Sequence, residues 1–394
     1  MTIAALVLNA CTGAAPAPPT TAPAPAAPTT ASSAKPTTAP VAAPSAAPVA
    51  SPSAAAAASP AAVASASPSA AAAAANPAAA HALLPKPEQT TLKLGNAAHE
   101  ADSFAPELAN QLGIYKAIGF TDVQSTYFDG DAKGRQALLA GQIDVLSGSP
   151  GSSIESQTTD TPFVAIGTFI LHPTDDLVSI ASVKTVQDLK GKQVAVSSFG
   201  GDSHASVLLS LKALGLSTSD VTIVPIGGQN ARIAALAAGS VAAAPIDDTL
   251  EDRMKAQGLN VLVRLADAPV TLARESLMVR KDFAQKNPNT VLDILAASLE
   301  AEQDIYTMTD KAVDGFAEWT QAQNKSDATK EINDYLPVGN RTMRFSPDGF
   351  DNLKEVMVAA APELKDVDVK QAYTSEYLDK LSALGFDKLV GVPQ

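Results

Sequence analysis

The chain of 394 residues has little of what metal sites and disulfide scaffolds require, since it contains one cysteine, Cys11, and four histidines. A single cysteine excludes an internal disulfide, a zinc site built from thiolates and a cysteine-protease site in the folded part of the chain. The histidines, at positions 81, 99, 172 and 204, lack the spacing of metal ligands. We therefore expect neither a metal nor another cofactor.

The sequence also lacks the short motifs of common hydrolases and nucleotide-binding enzymes. It contains no Gly-x-Ser-x-Gly nucleophile elbow and no phosphate loop that ends in Gly-Lys-Ser or Gly-Lys-Thr. Asp202, Ser203 and His204 are the residue types of a catalytic triad, but adjacent residues at a helix start point in different directions. The sequence therefore gives no motif that supports an enzyme of these classes.

Charge is distributed unevenly along the chain. The first 85 residues contain no Asp or Glu and one basic residue, Lys35. All 41 acidic residues and 27 of the 28 basic residues follow, which gives the remainder a net charge of −14. An acidic surface argues against binding to nucleic acid or directly to anionic lipid.

A long segment of low complexity precedes the folded part. Residues 12–89 consist mostly of Ala, Pro, Ser and Thr and contain no aromatic residue. Such a segment cannot bury enough apolar surface to offset the entropy of ordering it, and its prolines interrupt helices. The composition predicts a disordered linker with a root-mean-square span of about 50 Å, which suits a tether.

The apolar run at residues 3–8 is followed by Asn9, Ala10 and Cys11. A short apolar run that ends in a small residue and then cysteine resembles the lipobox of bacterial lipoproteins, although Asn9 and the absence of a preceding Lys or Arg depart from it. The resemblance implies a signal segment over residues 1–11, lipidation of Cys11 and an extracytoplasmic protein held on the cell membrane by its lipid. The alternative is an unmodified cysteine.

The region from residue 90 onward contains an internal repeat. Residues 92–94 and 194–196, 102 positions apart, are short apolar strands that each lead into a loop and a helix. Residues 137–141 and 235–239, 98 positions apart, read ALLAG and ALAAG, and each precedes another short apolar strand. Short strands that alternate with helices predict parallel sheets with right-handed crossovers, and hence two α/β lobes.

The lobes are expected to be joined by two crossings, near Asp176 and near Ser276. This assigns residues 90–178 to the first part of lobe 1, residues 179–275 to lobe 2, and residues 276–394 to the second part of lobe 1 with C-terminal helices. Ligands of open α/β sheets bind beyond the carboxyl ends of the strands, so the repeat predicts a cleft between the lobes.

Several short motifs occur in a characteristic order. They are DSFAP at 102–106, LGIY at 112–115, ALLAGQID at 137–144, DLKGK at 188–192, GGQ at 227–229 and ALAAG at 235–239. Together they resemble the substrate-binding proteins of ABC importers for sulfonates, nitrate and thiamine-pyrimidine precursors, over nearly all of residues 90–394. The resemblance implies an α/β, type II periplasmic-binding-protein fold and no catalysis. It also implies a monomer that closes on a small-molecule solute and presents it to ABC permease and ATPase subunits. A solute-sensing receptor module of a signalling complex is the alternative.

The candidate site lies in the loops that follow the strands. Residues 197–203 join a strand to a helix, where glycines let the backbone approach a ligand and free N–H groups favour an anion or a carbonyl oxygen. A plain helix N-cap is the alternative interpretation of this loop. The predicted ligand-binding residues are Asn96, His99, Ser147, Ser149, Ser197, Ser198, Phe199, Gly200, Gly201, Asp202, Ser203, Gln229 and Asp247.

The charge of these residues constrains the solute. Asp202 and Asp247 belong to the predicted site, whereas the predicted loops contain no Lys or Arg; Arg232 and Arg274 are the nearest cations. A carboxylate within about 5 Å of a bound sulfonate would oppose it by roughly a kcal/mol or more. We therefore expect a neutral or cationic organic solute, such as a heterocyclic amine, rather than nitrate or an alkanesulfonate.

Overall fold

The structure, a computed structural model, describes residues 75–265, 267–322, 324–346 and 348–393. The predicted signal segment, Cys11 and the linker up to residue 74 lie outside the described residues. The strands are β1 (Thr91–Asn96), β2 (Asp122–Tyr127), β3 (Val145–Gly148), β4 (Phe163–Ile170), β5 (Asp175–Ser179), β6 (Gln193–Val196), β7 (Thr222–Pro225), β8 (Ala243–Asp247), β9 (Asn260–Arg264) and β10 (Arg274–Arg280).

Helices fill the connections and the C-terminal part. The α-helices are α1 (Pro77–His81), α2 (Ala105–Gln111), α3 (Ile114–Ile118), α4 (Asp131–Leu139), α5 (Gly151–Ser156), α6 (Val186–Leu189), α7 (Asp202–Ala213), α8 (Gln229–Ala237), α9 (Glu251–Ala256), α10 (Lys281–Lys286), α11 (Pro288–Thr307), α12 (Thr309–Trp319), α13 (Lys325–Tyr335), α14 (Gly349–Val358), α15 (Glu376–Leu384) and α16 (Phe386–Val390). Short 3-10 helices span Ala101–Ser103, Thr218–Asp220, Asp248–Leu250, Pro362–Asp366 and Val369–Gln371.

Two five-stranded sheets have the same plan. The first has the order β2-β1-β3-β10-β4 and the second the order β7-β6-β8-β5-β9. In the first, β1 is parallel to β2 and β3, while β10 is antiparallel to β3 and β4. In the second, β6 is parallel to β7 and β8, while β5 is antiparallel to β8 and β9. The repeat seen in the sequence corresponds to β1, β2 and β3 of the first sheet and to β6, β7 and β8 of the second.

The fifth strand of each sheet arrives from the other lobe, so the expectation of purely parallel sheets is wrong. β4 ends at the cleft side of lobe 1, so the chain enters lobe 2 at its cleft side. β5 therefore runs antiparallel to its neighbours β8 and β9. The crossings lie between Ile170 and Asp175 and between Arg264 and Arg274, a few residues before the expected positions. β5 thus belongs to the sheet of lobe 2, and β10 to that of lobe 1.

The folded body begins before residue 90, which shortens the expected linker. Helix α1 starts after Asn76, whose backbone N–H donates to the carbonyl of Leu389 at 2.7 Å and whose side chain caps the helix. Ala80 is fully buried, and Leu84 packs against the same core as the C-terminal helices. Packing on helix α16 therefore orders a segment whose own composition does not predict order.

Helix α11, the longest helix described, forms the centre of lobe 1 and buries residues such as Leu295 against the first sheet. A second cluster joins the lobes, because Leu208 of α7 packs with Phe350, Leu353 and Met357 of α14. The C-terminal part of the chain therefore contacts lobe 2 as well as lobe 1. No helix in the described part of the chain is both long and apolar enough to traverse a lipid bilayer.

Candidate functional site

A cavity of about 630 Å³ lies where the carboxyl ends of the two sheets meet. Lobe 1 contributes the segments after β1 and β2, and lobe 2 contributes the loop before α7 and the start of α8. The second crossing adds Arg274 and Glu275, and residues 320–331 near the start of α13 form a further wall. The position of the cavity agrees with the expectation that ligands bind beyond the carboxyl ends of the strands.

Arg274 forms the centre of the charged side of this cavity. Its side chain is about 5 % exposed and lies 3.2 Å from Glu100, 3.2 Å from Asp102 and 3.0 Å from Asp175. Asp202 of lobe 2 is 3.9 Å away. Burial alone would raise the pKa of Asp175, but Arg274 and Arg232 bring it below its ordinary value. One buried guanidinium is thus shared among several carboxyl groups from both lobes.

The carboxyl groups around Arg274 hold protons unusually well. Burial raises the pKa of Glu100 to about 8 and that of Asp202 to about 7, although Arg274 lowers both. Burial and neighbouring acids raise the pKa of Glu275 well above its ordinary value. Several of these groups therefore carry a proton near neutral pH, and they can donate as well as accept hydrogen bonds.

The backbone of Glu275 has a φ of +36°, a conformation that residues other than glycine rarely adopt. Its N–H donates to Asp202 at 3.2 Å, and its carboxyl group accepts from the Ser147 hydroxyl at 2.8 Å. Residues kept in such conformations are held by their surroundings and occur often at functional sites. Glu275 is the second residue of β10, so this strain lies where the chain re-enters lobe 1, on the cavity wall.

Five of the predicted site residues line the cavity. These are His99, Ser197, Asp202, Ser203 and Gln229. The His99 ring stacks on Tyr127 with centroids 3.7 Å apart, and Trp319 meets it edge-on at 4.6 Å. Burial lowers the pKa of His99, so the imidazole is neutral at pH 7. The structure therefore adds Tyr127 and Trp319 beside His99, which is the one member of this aromatic cluster that the sequence predicted.

The other predicted residues lie outside the lining of this cavity. They are Asn96, Ser147, Ser149, Ser198, Phe199, Gly200, Gly201 and Asp247. Two of them bind residues that do line it: the Ser149 N–H donates to Asp131 at 2.6 Å, and the Ser147 hydroxyl donates to Glu275 at 2.8 Å. Phe199 is 50 % exposed, with its ring edge-on to His204. For Phe199, the alternative interpretation of a plain helix-start loop describes its position better.

Asp247 and Gln229 are linked to each other at the end of β8. The Asp247 carboxylate caps the following 3-10 helix by accepting from the Thr249 N–H at 3.0 Å. Its own N–H donates to the Gln229 side chain at 2.8 Å. Asp247 faces a neighbouring cavity instead of the first one.

The two lobes touch each other around the cavity. Asp129 of lobe 1 accepts from the Gly228 N–H at the start of α8 at 2.6 Å. Gly201 comes so close to Asp131 that a Cβ at this position would lie 2.3 Å from its carboxylate. Glycine at 201 is thus required by the close approach of the lobes around the cavity.

The cavity wall has more acidic than basic groups. The acidic residues are Glu100, Asp129, Asp131, Asp175, Asp202, Asp252, Glu275, Asp327 and Glu331. The basic residues are Arg232, Arg253, Arg274 and Lys330. Among the described residues, no group of three or more His, Cys, Asp or Glu side chains is arranged to hold a metal ion.

Sequence reasoning missed Glu100, Asp131 and Tyr127 and named Arg274 and Arg232 only as nearby cations. The position of Tyr127 as the last residue of a strand, in the same register as Asn96 on β1, is the signal that could have found it. Glu100 and Asp131 carry no such signal. They become part of the site only through contacts between segments that are far apart in the sequence.

Two α/β lobes joined by two crossings, with a cavity between them, are the architecture of periplasmic-binding proteins. The family model described as NMT1/THI5 like matches residues 107–312. The chain belongs to this family, which confirms the resemblance found in the sequence, and the members that it resembles are binding proteins rather than enzymes.

Relatives and solved structures agree with this assignment. The riboflavin-binding protein RibY of Chloroflexus aurantiacus is 27 % identical over 297 residues, which are 70 % of this chain and 82 % of the relative. The taurine-binding periplasmic protein of Escherichia coli is 31 % identical over 186 residues, 45 % of this chain and 55 % of the relative. The structure of the alkanesulfonate-binding protein of Xanthomonas axonopodis superimposes with a TM-score of 0.60 at 19 % identity, covering 73 % of this chain and 99 % of that one. The predicted fold is confirmed.

Proposed function

We propose that the cleft binds a neutral or positively charged organic solute with a flat heteroaromatic ring, which the protein delivers to an ABC permease and its ATPase. The observation that carries the proposal is the excess of carboxyl groups on the cavity wall, together with the aromatic face formed by His99 and Tyr127. A ring with amine or imide N–H groups can stack on this face and donate to the carboxylates.

The buried arginines do not offset this excess for an incoming anion. Arg274 is already surrounded by four carboxyl groups. Arg232 donates to the backbone carbonyls of Pro245 at 3.1 Å and Gly227 at 3.2 Å. A sulfonate or nitrate would therefore have to displace existing partners of both arginines.

The named ligands of the two relatives differ in a way that bears on this choice. Riboflavin is an uncharged, flat heteroaromatic compound, whereas taurine carries a sulfonate. The relative named for riboflavin matches 70 % of this chain and the one named for taurine 45 %. The longer match to the riboflavin-binding relative and the acidic wall of the cavity both favour a heteroaromatic solute.

Ligand binding can be tested by following thermal unfolding and the fluorescence of Trp319, the single tryptophan, which lies beside His99. We expect riboflavin or 4-aminoquinoline to raise the melting temperature at micromolar concentration, and taurine and nitrate to leave it unchanged. Tyr127→Ala should weaken binding about fivefold, since one lost stacking contact is worth about 1 kcal/mol.

Phe199→Ala is the matched control, because it removes an aromatic ring that belongs to the sequence-predicted site but lies outside the cavity lining. It should leave affinity unchanged. Stabilisation by taurine or nitrate, with none by either ring compound, would refute the proposed solute class.

We further propose that Cys11 carries a lipid and that the protein works as a monomer on the outer side of the cell membrane. The support is the apolar run before Cys11 and the Ala-, Pro-, Ser- and Thr-rich residues 12–74 that lie between it and the folded body. Wild-type protein should incorporate labelled fatty acid and partition into detergent, while Cys11→Ala should do neither. Equal release of both forms from membranes would contradict the anchor.

A further inference from the structure

A second cavity of about 460 Å³ adjoins the first. It lies between the first crossing, the 3-10 helix Asp248–Leu250 and helix α13. Both cavities share Thr249, Asp252, Lys330 and Glu331 as wall residues. The two spaces are thus neighbours in one interlobe region, separated by side chains of α13.

The second cavity is strongly acidic. Asp102, Asp247, Asp248 and Asp334 are among its wall residues, and Lys330 is its one lysine or arginine among the described residues. Burial raises the pKa of Asp247 to about 7, with Arg274 lowering it and Asp248 raising it. His172 adds no charge at neutral pH, because burial lowers its pKa.

Three buried polar groups on this wall have no hydrogen-bond partner among the described residues, and those of Asp102 and Thr174 belong to the second cavity alone. Asp102 is 7 % exposed, and while its Oδ2 binds Arg274, its Oδ1 is unpaired. Thr174 is 8 % exposed, and its hydroxyl is unpaired. Both residues line the second cavity and not the first. Buried polar groups are normally paired, so Asp102 and Thr174 keep unused hydrogen-bonding capacity beside this cavity.

The chain itself places an ammonium group at the junction of the two cavities. The Lys330 Nζ donates to the backbone carbonyl of Thr249 on lobe 2 and to the carboxylate of Asp334 on its own helix. The side chain of Lys330 is 48 % exposed, so it can move aside at little cost. Its ammonium shows which chemical group this junction accepts.

We propose that the second cavity receives an ammonium-bearing arm of the solute whose ring occupies the first cavity. The inference rests on the proposed function and narrows it to heteroaromatic compounds with an alkylammonium side chain. The ring packs against the stacked pair of His99 and Tyr127, and the arm passes Lys330 to reach carboxylates such as Asp248. An ammonium group suits this wall because it donates three hydrogen bonds and needs no fixed coordination geometry.

The test compares two probes by isothermal titration calorimetry: N-(4-aminobutyl)quinolin-4-amine and its uncharged-arm analogue N-butylquinolin-4-amine. The full-length protein should bind the aminobutyl probe about tenfold more tightly, as one additional partly exposed charge interaction allows. Asp248→Asn should reduce this preference severalfold. Lys330→Met should increase it, because the competing ammonium is gone.

Lys325→Met is the matched control, since it removes the same charge from the same helix at a position outside both cavities. It should leave the preference unchanged. Equal affinity of the two probes for the unmodified protein overturns the ammonium arm while the proposed ring site stands. Failure of both probes to bind overturns the arm together with the ring site on which it depends.

Discussion

Replacing Arg274 by Met is the most direct test of the charged cluster. The substitution keeps much of the side-chain volume but leaves Glu100, Asp102, Asp175 and Asp202 without the cation that they surround. Breaking a buried ion pair from one side costs about 3–5 kcal/mol, because the remaining charges stay buried. We expect a loss of that size in the free energy of unfolding at pH 8.

The loss should depend on pH in a defined direction. The pKa of Asp202 is raised to about 7 and that of Glu100 to about 8, mainly by burial. Above the ordinary carboxyl pKa, the folded protein then binds more protons than the unfolded chain, so stability falls as pH rises through these values. Without Arg274 these pKa values rise further, and the pKa of Asp175 is no longer held below its ordinary value.

The variant should therefore lose stability more steeply than the wild type between pH 5 and pH 8. Each proton bound only in the folded state contributes up to about 1.4 kcal/mol per pH unit, so the deficit should shrink by about half at pH 5. Urea denaturation at both pH values, followed by Trp319 fluorescence, measures it. Arg344→Met, which breaks an exposed pair with Asp379, should cost less than about 1 kcal/mol at either pH. An Arg274→Met deficit that is equal at both pH values, or larger at pH 5, would refute the reasoning.

Three further substitutions test how the lobes are held together. Gly201→Ala should push the lobes apart, because its Cβ would lie 2.3 Å from Asp131; we expect a larger radius of gyration in X-ray scattering and weaker ligand binding. Gly215→Ala has a φ of +69° but open space, so it should cost about 1 kcal/mol in urea denaturation without changing the scattering. Leu353→Ala should lower the free energy of unfolding by about 2–5 kcal/mol, since this side chain of α14 is 1 % exposed and belongs to the cluster with α7. A loss below about 1 kcal/mol would contradict that packing.

The fold could be predicted because its signals are local and repeated. Helices α4 and α8 and strands β3 and β8 recur at the offset of 98 that the sequence shows. The order of the sheets could not be predicted in the same way. β5 and β10 could each belong to the sheet before or after the crossing. The choice depends on pairing with strands up to about 130 residues away, and the short apolar sequences of β5 and β10 do not specify these partners.

The site was predicted at the level of loops and not of side chains. The segments 96–99, 197–203 and 229 do meet at the cleft, since strand ends determine where loops go. Which side chain turns inward is decided by packing. Phe199 turns outward, although an aromatic residue in a cleft loop is the obvious candidate, while His99 reaches the cavity because Tyr127 and Trp319 hold its ring.

The position of the charged cluster connects binding to the hinge. Asp175 and Arg274 are the first residues of the two strands that cross between the lobes, and their side chains are 3.0 Å apart. Asp202, at the start of α7 in lobe 2, accepts from the N–H of Glu275. A solute that binds Asp202 or Glu100 thus interacts with groups bound directly to both crossings. Lobe closure and solute binding thus involve the same few hydrogen bonds. A solute favours the closed form to the extent that it makes more of these contacts there than in the open form.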